Sequence, residues 1–231
     1  METRAATERT RVRRLPDRGA YDRETIRAIL DTAFVCHVGI VEHGTPVVIP
    51  TAYARVGDAI VLHGSSKSRL MTILGAGAEA CVTVTHVDGF VMARSAFHHS
   101  INYRSVMAFG QARKIEDNDE KRAALNSYVD RFLPQRNREL RPIDAQELKA
   151  TTLLGMTIEE ASAKIRTGPP KDDEPDYDLP VWAGVVPIRQ VFGEPVPDPR
   201  LREGTKLPLH VATLAPGADF SAVMARLAKS Y

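Results

Sequence analysis

The spacing of apolar residues changes at Phe34. Before it, Ile26, Ile29 and Leu30 follow the i, i+3, i+4 spacing of a helix, and Asp22 stands where an N-cap residue would accept hydrogen bonds from the next amides. After it come short runs rich in valine and isoleucine, separated by turn residues: FVCHVGIVE, VVIPTAYARV and AIVLHGS. The pattern predicts one helix lying on an antiparallel meander.

The strand pattern resumes after a short helix that begins near Ser66. The runs CVTVTHV, GFVMARSAF and YRSVMAFGQARKI follow, with Asp88-Gly89 as a hairpin turn, which gives about six strands before residue 116. Helices are expected in DEKRAALNSYVDRFL, capped by Asn118, and in AQELKATTLL after Asp144, and strands in MTIEEASAKIR and VWAGVVPIRQVF. Many short strands with few helices predict a mainly β, α+β fold built as an antiparallel barrel.

The two ends of the chain differ from its body. Arginines crowd the first 18 residues, which hold few aliphatic side chains to bury: Arg4, Arg9, Arg11, Arg13, Arg14 and Arg18. We expect residues 1–18 to form a flexible basic arm, residues 19–200 to form one domain and residues 201–231 to form a C-terminal extension. The proline-rich, acidic segment GPPKDDEPDYDLP predicts a loop.

Composition narrows the classes of function. The 31 lysines and arginines nearly balance 29 aspartates and glutamates, and a net charge of +2 argues against a protein built to bind nucleic acid or a membrane surface. No apolar run reaches the roughly 18 residues of a transmembrane helix, and no signal-peptide pattern is present, so we expect a cytoplasmic protein. Cys36 and Cys81 lie far apart and are expected to be reduced, buried thiols.

Three further patterns do not indicate a function. The segment GAGAEA contains G-x-G, but it follows a helix and precedes a strand, the reverse of a dinucleotide-binding turn. The histidines form no helical i, i+4 pair, and adjacent His98 and His99 would point to opposite faces of a strand, so we expect no metal site. The lack of G-x-S-x-G and S-x-x-K motifs argues against a hydrolase.

Two clusters are candidates for chemistry. The segment HGSSKSRL, from His63 to Leu70, offers hydroxyls and two cations where a strand ends and a helix begins, which suits a phosphate group. A solvated, serine-capped helix start explains the same residues equally well. The segment FHHSINYRSV, from Phe97 to Val106, carries aromatic, imidazole, amide and guanidinium groups that suit a pocket lining or an ordinary polar hairpin.

These segments together resemble a known family, the flavin-binding split barrels that include pyridoxamine 5′-phosphate oxidase, and within it the branch related to nitroimidazole-resistance proteins. The resemblance covers residues 14–200 and rests on PVVIPTAYAR, AIVLHGSSKSRL, CVTVT, AFHHSINYRSVMAFGQA and EKRAAL. It implies a six-stranded antiparallel split barrel with flanking helices, a homodimer, and FMN held in the groove between the subunits. The cofactor-site candidates that it implies are Thr51, His63, Ser65, Lys67, Ser68, Arg69 and Ser105.

The sequence departs from the oxidases that form pyridoxal phosphate. Those enzymes carry, after a late tryptophan, an arginine followed two residues later by histidine. Here Trp182 is followed by AGVVPIRQVF, in which Arg189 stands one residue too late and Val191 occupies the second position. Pyridoxamine phosphate is therefore not the expected substrate.

Three other side chains have proposed roles. Trp182 could cover the flavin of the partner subunit, or it could be plain core. His99 and Arg104 could orient a substrate, or they could hold the dimer interface.

The function expected from the sequence is an FMN-dependent oxidoreductase that passes hydride or electrons between a small-molecule substrate or donor, such as NAD(P)H, and an acceptor. Two alternatives stay open: a non-catalytic flavin carrier or sensor, and a related barrel that binds haem through a histidine. An absorbance spectrum of the purified protein separates the three.

Overall fold

Antiparallel strands supply the body of the protein. The structure, a computed structural model, describes residues 6–230. Its strands are β1 (Gly19–Ala20), β2 (Val35–Glu42), β3 (Thr45–Ala52), β4 (Ala54–Val56), β5 (Ala59–Ser65), β6 (Glu79–Met92), β7 (Ser100–Lys114), β8 (Thr151–Thr157), β9 (Glu160–Arg166) and β10 (Gly184–Pro187). Its helices are α1 (Arg23–Asp31), α2 (Arg69–Gly75), α3 (Asn118–Phe132), α4 (Ala145–Ala150), α5 (Leu209–Ala212) and α6 (Phe220–Leu227).

All strand pairs in the sheet are antiparallel. The main path runs in the order β3-β2-β6-β7-β8-β5-β4, while β9 pairs with β1 and β7, and β10 pairs with β6. The mainly β, α+β fold expected from the sequence is confirmed.

Strand β7 allows the sheet to fold back on itself. Residues 103–109 pair with β9, whereas residues 112–114 pair with β8. Gly110 lies where the partner changes, and a Cβ there would come within 2.7 Å of the carbonyl oxygen of Thr157. Only a residue without a side chain permits this close approach of two strands.

The core lies inside this curved sheet and is closed at one end by α1. Alternate residues of β2 are buried, including Cys36, Val38 and Ile40, as the period of two requires. The predicted helix is confirmed, because α1 buries its apolar stripe and the Asp22 carboxylate accepts a 2.8 Å hydrogen bond from the Thr25 amide.

Part of the basic arm contacts the body of the protein, unlike the solvated arm expected from composition. Thr10 is buried, and Arg9 forms ion pairs with Glu79 and Glu160 while its guanidinium lies over the Phe109 ring. The arm is held there because Arg9 has acidic partners at the first residues of β6 and β9. Arg4 lies outside the described residues.

The hairpin turn expected at Asp88-Gly89 is wrong. Strand β6 runs through both residues and pairs with β7 across a register shift between Val87 and Gly89. This glycine serves a close approach, because a Cβ on it would lie 2.8 Å from the carbonyl oxygen of Val186 in β10. The residues that the sequence marks as a turn therefore form a β-bulge, beside which β10 pairs with β6.

Other observed element boundaries differ slightly from the predicted ones. The cap of α3 is Asp117 and not Asn118. The Asp117 carboxylate accepts hydrogen bonds from the amides of Asp119 and Glu120. The helix α4 begins after Asp144, as expected, and Asp144 forms a capping box with Glu147, but this helix ends at Ala150 and β8 follows directly. The run predicted as one strand, MTIEEASAKIR, is divided between β8 and β9.

The C-terminal extension packs on the barrel. Val223 and Met224 of α6 are buried, and Phe220 meets Phe34 edge to face with ring centroids 5.7 Å apart. None of the helices within residues 6–230 is long and apolar enough to cross a membrane.

Candidate functional site

The predicted phosphate segment lies at the end of β5 and the start of α2. Lys67 is exposed and has no ion-pair partner among the described residues, while Arg69 pairs with Glu42 at the end of β2. Ser68 is the N-cap of α2, but its side chain makes no capping bond, and Ser65 Oγ accepts a 3.3 Å hydrogen bond from the Lys67 amide. The hydroxyl and ammonium groups of this segment are thus available to an anion.

His63, the first residue of this segment, packs against a residue that the sequence did not single out. Its ring meets Tyr128 of α3 edge to face, with centroids 4.5 Å apart. His63 Nδ1 and the Tyr128 hydroxyl are both buried without a hydrogen-bond partner in residues 6–230. Burial lowers the pKa of His63, which favours neutral imidazole, and raises the pKa of Tyr128 to about 12.

Two unpartnered polar atoms in one small cluster are unusual, because buried polar groups are normally hydrogen-bonded. The only sequence signal for Tyr128 was its place on the buried face of α3, which does not separate a site residue from ordinary core.

Adjacent candidates on β7 point to opposite faces of the sheet. Ser105 lies on the outer face, where its hydroxyl donates a 3.2 Å hydrogen bond to the Lys164 carbonyl oxygen. Arg104 lies on the inner side and donates two hydrogen bonds, of 2.8 and 2.9 Å, to the Asp88 carboxylate. The two residues therefore do not act on the same group within one chain.

Arg104 lines a cleft that the C-terminal region completes. The cleft has a volume of about 710 Å³, a size typical of ligand sites. Strand residues, including Val35, Thr85 and His86, form one wall, and residues 187–190 and 219–221 form the other. Arg189, the displaced arginine of the sequence analysis, lies in this second wall.

The other predicted site residues lie outside this cleft. Thr51 on β3 pairs with Cys36 and is half-buried on the inner side of the sheet. His99 is exposed and its Nδ1 lies 2.8 Å from the Ser95 carbonyl oxygen. Trp182 is 66% exposed and its ring covers Gly184, so it is not core in this chain. One chain therefore does not gather the predicted residues into one pocket.

Large apolar side chains are exposed on the outer face of the sheet. We use outer face for the outward side chains of β2, β3, β6 and β7, whose large exposed apolar members include Val35, Val41, Val48, Val87 and Met107. Exposed apolar patches of this kind mark protein or ligand contacts.

Acidic and sulfur groups give no metal site in the described part of the chain, since no three His, Cys, Asp or Glu side chains come together there. Both cysteines are free thiols, Cys36 buried and Cys81 half-buried.

The chain matches the model of a known protein family. The model of the family described as pyridoxamine 5′-phosphate oxidase matches residues 22–165, more than half of the chain. The chain therefore belongs to this family, as its resemblance to the split barrels implied. No curated protein matches it.

Two solved structures are similar over most of the chain. The flavocytochrome Anf3 from Azotobacter vinelandii is 43% identical, with a TM-score of 0.86, over 91% of this chain and 98% of that one. The FAD and heme binding protein from Mycobacterium smegmatis is 39% identical, with a TM-score of 0.84, over 88% of this chain and 98% of that one.

A third structure supports the fold alone. A putative 5-nitroimidazole antibiotic resistance protein from Bacteroides thetaiotaomicron is 21% identical, with a TM-score of 0.55, over 64% of this chain and 86% of that one. Together these likenesses confirm the split-barrel fold.

Proposed function

We propose that this protein binds both a flavin and haem and transfers electrons through them. The observation that carries the proposal is the likeness to two proteins, at 43% and 39% identity over nearly their whole length, that are described as a flavocytochrome and as an FAD and heme binding protein. The sequence alone favoured FMN as the sole cofactor and kept haem as an alternative.

The segment after β5 fits a flavin. Lys67 has no competing carboxylate among the residues described, and Ser65 and Ser68 supply hydroxyl donors beside it. His63 Nδ1 and the Tyr128 hydroxyl, neither with a hydrogen-bond partner in residues 6–230, offer further hydrogen bonds at the same end of β5. These groups would hold a phosphate and the polar chain that links it to the flavin ring.

We propose FAD in place of FMN, since one of the two similar structures is described as binding FAD. The segment itself recognises a phosphate, which both flavins carry. Identification of the flavin released from the purified protein, by chromatography against both standards, decides between them.

The bound groups would supply hydride and single-electron chemistry, which the side chains of the protein lack. The protein contributes binding and orientation. Lys67 and the serines fix the flavin phosphate, and Arg104, held by two bonds to Asp88, keeps a cation at one end of the 710 Å³ cleft. Neutral His63 keeps both a donor and an acceptor nitrogen for hydrogen bonding.

We also propose a homodimer in a cytoplasmic setting. The apolar outer face suits a second copy, and Ser105 and Thr85, which lie on that face, would then border a groove between two chains. In this arrangement the candidates that one chain keeps apart would meet across the interface.

An absorbance spectrum tests the proposal. We expect a flavin band together with a Soret band, and a haem content measured as the pyridine haemochromogen. A flavin band alone would support a flavin protein without haem, and neither band after incubation with FAD and haemin would overturn the proposal.

Turnover is a separate measurement. Stopped-flow mixing with NADH or NADPH, without oxygen, should bleach the flavin band if either is the donor. A loaded protein that no donor reduces would be a carrier or sensor.

A further inference from the structure

A row of apolar side chains continues the outer face beyond Val87. Ile101 of β7 lies on the same side of the sheet as Ser105, because every second side chain along a strand points the same way. Phe90 of β6 pairs with Ile101, and Val186 of β10 pairs with Phe90. The three side chains therefore stand side by side across three strands, and all three are exposed.

Trp182 lies on this same side. Gly184 and Val186 are two residues apart on β10, so a Cβ on Gly184 would point to the side of Val186. The Trp182 ring occupies that side, with two ring carbons 3.0 and 3.2 Å from the position of this Cβ. We use apolar edge for the group formed by Phe90, Ile101, Trp182 and Val186.

The segment that carries Trp182 is attached to the body of the protein on both sides. Before it, the Asp172 carboxylate accepts hydrogen bonds of 2.9 and 3.0 Å from the amide and the guanidinium of Arg94. After it, β10 pairs with β6, and the Ile188 amide donates a 3.1 Å hydrogen bond to the Asp88 carbonyl oxygen. The segment is thus ordered before a partner binds, which lowers the entropic cost of association.

The chemistry of the apolar edge suits a second copy of this chain. Its four side chains are uncharged, and tryptophan is enriched among the residues that dominate binding energy at protein interfaces. Trp182 is 66% exposed and Phe90 51%, so the two expose roughly 200–300 Å², taking roughly 150–250 Å² for a whole aromatic side chain. That is at least a quarter of the roughly 800 Å² that one partner contributes to a standard interface. The adjoining outer face supplies further apolar area.

We propose that the apolar edge belongs to the homodimer interface and that Trp182 anchors it by packing against the second copy. The inference rests on the proposed homodimer. It gives a role to β10 and the loop before it, which follow residue 165, where the family model ends. Because a two-fold interface is self-complementary, both tryptophans of a dimer are covered equally.

Fluorescence tests the contact directly, since Trp182 is the only tryptophan in the sequence. We expect a blue-shifted emission maximum from the flavin-free dimer, with quenching by iodide several-fold weaker than for free tryptophan. On dilution, the emission should shift to the red as the mass measured by light scattering falls to that of a monomer. The Val48→Glu variant should show the exposed spectrum at every concentration.

Variants test the energetic role. Trp182→Ala should raise the dimer dissociation constant of the FAD-loaded protein at least about 30-fold in analytical ultracentrifugation, as expected for an anchor residue. Phe90→Ser should raise it as well. Leu209→Ala is the matched control, because Leu209 is 83% exposed in α5 and is not part of the apolar edge. Circular dichroism of the diluted monomers should not change, since the Trp182 and Phe90 side chains are largely exposed within one chain.

The possible failures can be told apart. A parent protein that stays monomeric at every concentration, with FAD bound, overturns the proposed homodimer itself. A parent dimer whose Trp182 stays open to iodide, or whose dissociation constant Trp182→Ala and Phe90→Ser leave unchanged, overturns only the role of the apolar edge. Loss of flavin from a Trp182→Ala variant that remains a full-affinity dimer would mean that the ring covers the cofactor and not the second copy.

Discussion

His63 of β5 and Tyr128 of α3 lie edge to face, with ring centroids 4.5 Å apart and an interplanar angle of 73°. Each carries a buried polar atom that has no hydrogen-bond partner within residues 6–230. A buried hydroxyl without a partner costs roughly 1–3 kcal/mol. We therefore expect the cluster to destabilise the empty protein and to gain hydrogen bonds when the cofactor binds.

Tyr128→Phe tests this expectation, because it removes the hydroxyl and keeps the ring. The cofactor-free variant should unfold in urea with a free energy raised by about 1 kcal/mol, while its flavin affinity should fall several-fold.

Tyr53→Phe is the control with the opposite sign, since the Tyr53 hydroxyl donates a 2.5 Å hydrogen bond to the Leu30 carbonyl oxygen and its loss should destabilise. Unchanged flavin affinity in Tyr128→Phe would mean that the Tyr128 hydroxyl does not contribute to flavin binding.

The flavin segment can be tested on its exposed cations. Lys67→Ala combined with Arg69→Ala removes two charge-assisted contacts of roughly 1.5–3 kcal/mol each, so flavin affinity measured by fluorescence titration should fall at least about a hundredfold. Lys67 should account for the larger part, because Arg69 already pairs with Glu42. Circular dichroism should be unchanged, since both side chains are exposed.

Arg200→Ala combined with Lys206→Ala removes the same charge from an exposed loop and should bind flavin like the parent. Equal loss in the two double variants would mean that overall charge, and not this segment, governs binding.

Local patterns predicted the elements well and the assembly of the site poorly. The stripe of α1 and its cap at Asp22 depend on neighbours in sequence, so they could be read directly. Asp88-Gly89 has the composition of a turn, but β10 arrives from about a hundred residues later and uses the glycine for a close approach. Strand pairing of this kind overrides the local preference for a turn, and the sequence around Asp88-Gly89 does not reveal it.

The site shows the same limit. The phosphate segment could be found because its groups are consecutive. Tyr128 could not, because α3 brings it against His63 through long-range packing.

Stability should fall as the pH drops below 6.5. Burial lowers the pKa of His63 and His86 from their ordinary value of 6.5. Below pH 6.5 the unfolded chain therefore binds more protons at these histidines than the folded chain does. The contribution is complete above pH 6.5 and is lost as the pH falls from 6.5 through the lowered pKa of the folded chain.

Urea midpoints at pH 7.5 and 5.5 measure the effect. The combined variant His63→Gln with His86→Gln should lose less stability across this interval than the parent does. His43→Asn should behave like the parent, and a combined variant as steep as the parent would assign the effect to other groups.

Dimer formation and flavin binding should be linked by mass action if the site is shared. Val48→Glu places a charge on the outer face and should give a monomer by light scattering with strongly reduced flavin occupancy, while added FAD should raise the Tm of the parent. Val196→Glu is the control, because Val196 is exposed in a C-terminal loop and is not one of the outward residues of that face. A Val48→Glu monomer that binds flavin at full affinity would contradict the shared site.

The family description raises the question of pyridoxamine 5′-phosphate oxidation, which we expect to be absent. The arginine and histidine that the pyridoxal-forming enzymes use have no counterpart here, because Arg189 is displaced by one residue and Val191 is apolar. A displacement of one residue along an extended chain turns a side chain to the other face.

Here Arg189 lies in the wall of the cleft, and Val191 is tied to Asp219 by a bridge, so a local bulge does not restore the pair. A substrate whose charged groups lack matching donors loses several kcal/mol of binding. Oxygen consumption by the flavin-loaded protein with pyridoxamine 5′-phosphate should therefore stay at background, with an authentic oxidase as the positive control. Turnover comparable to that enzyme would mean that other side chains, Arg104 first among them, bind the substrate.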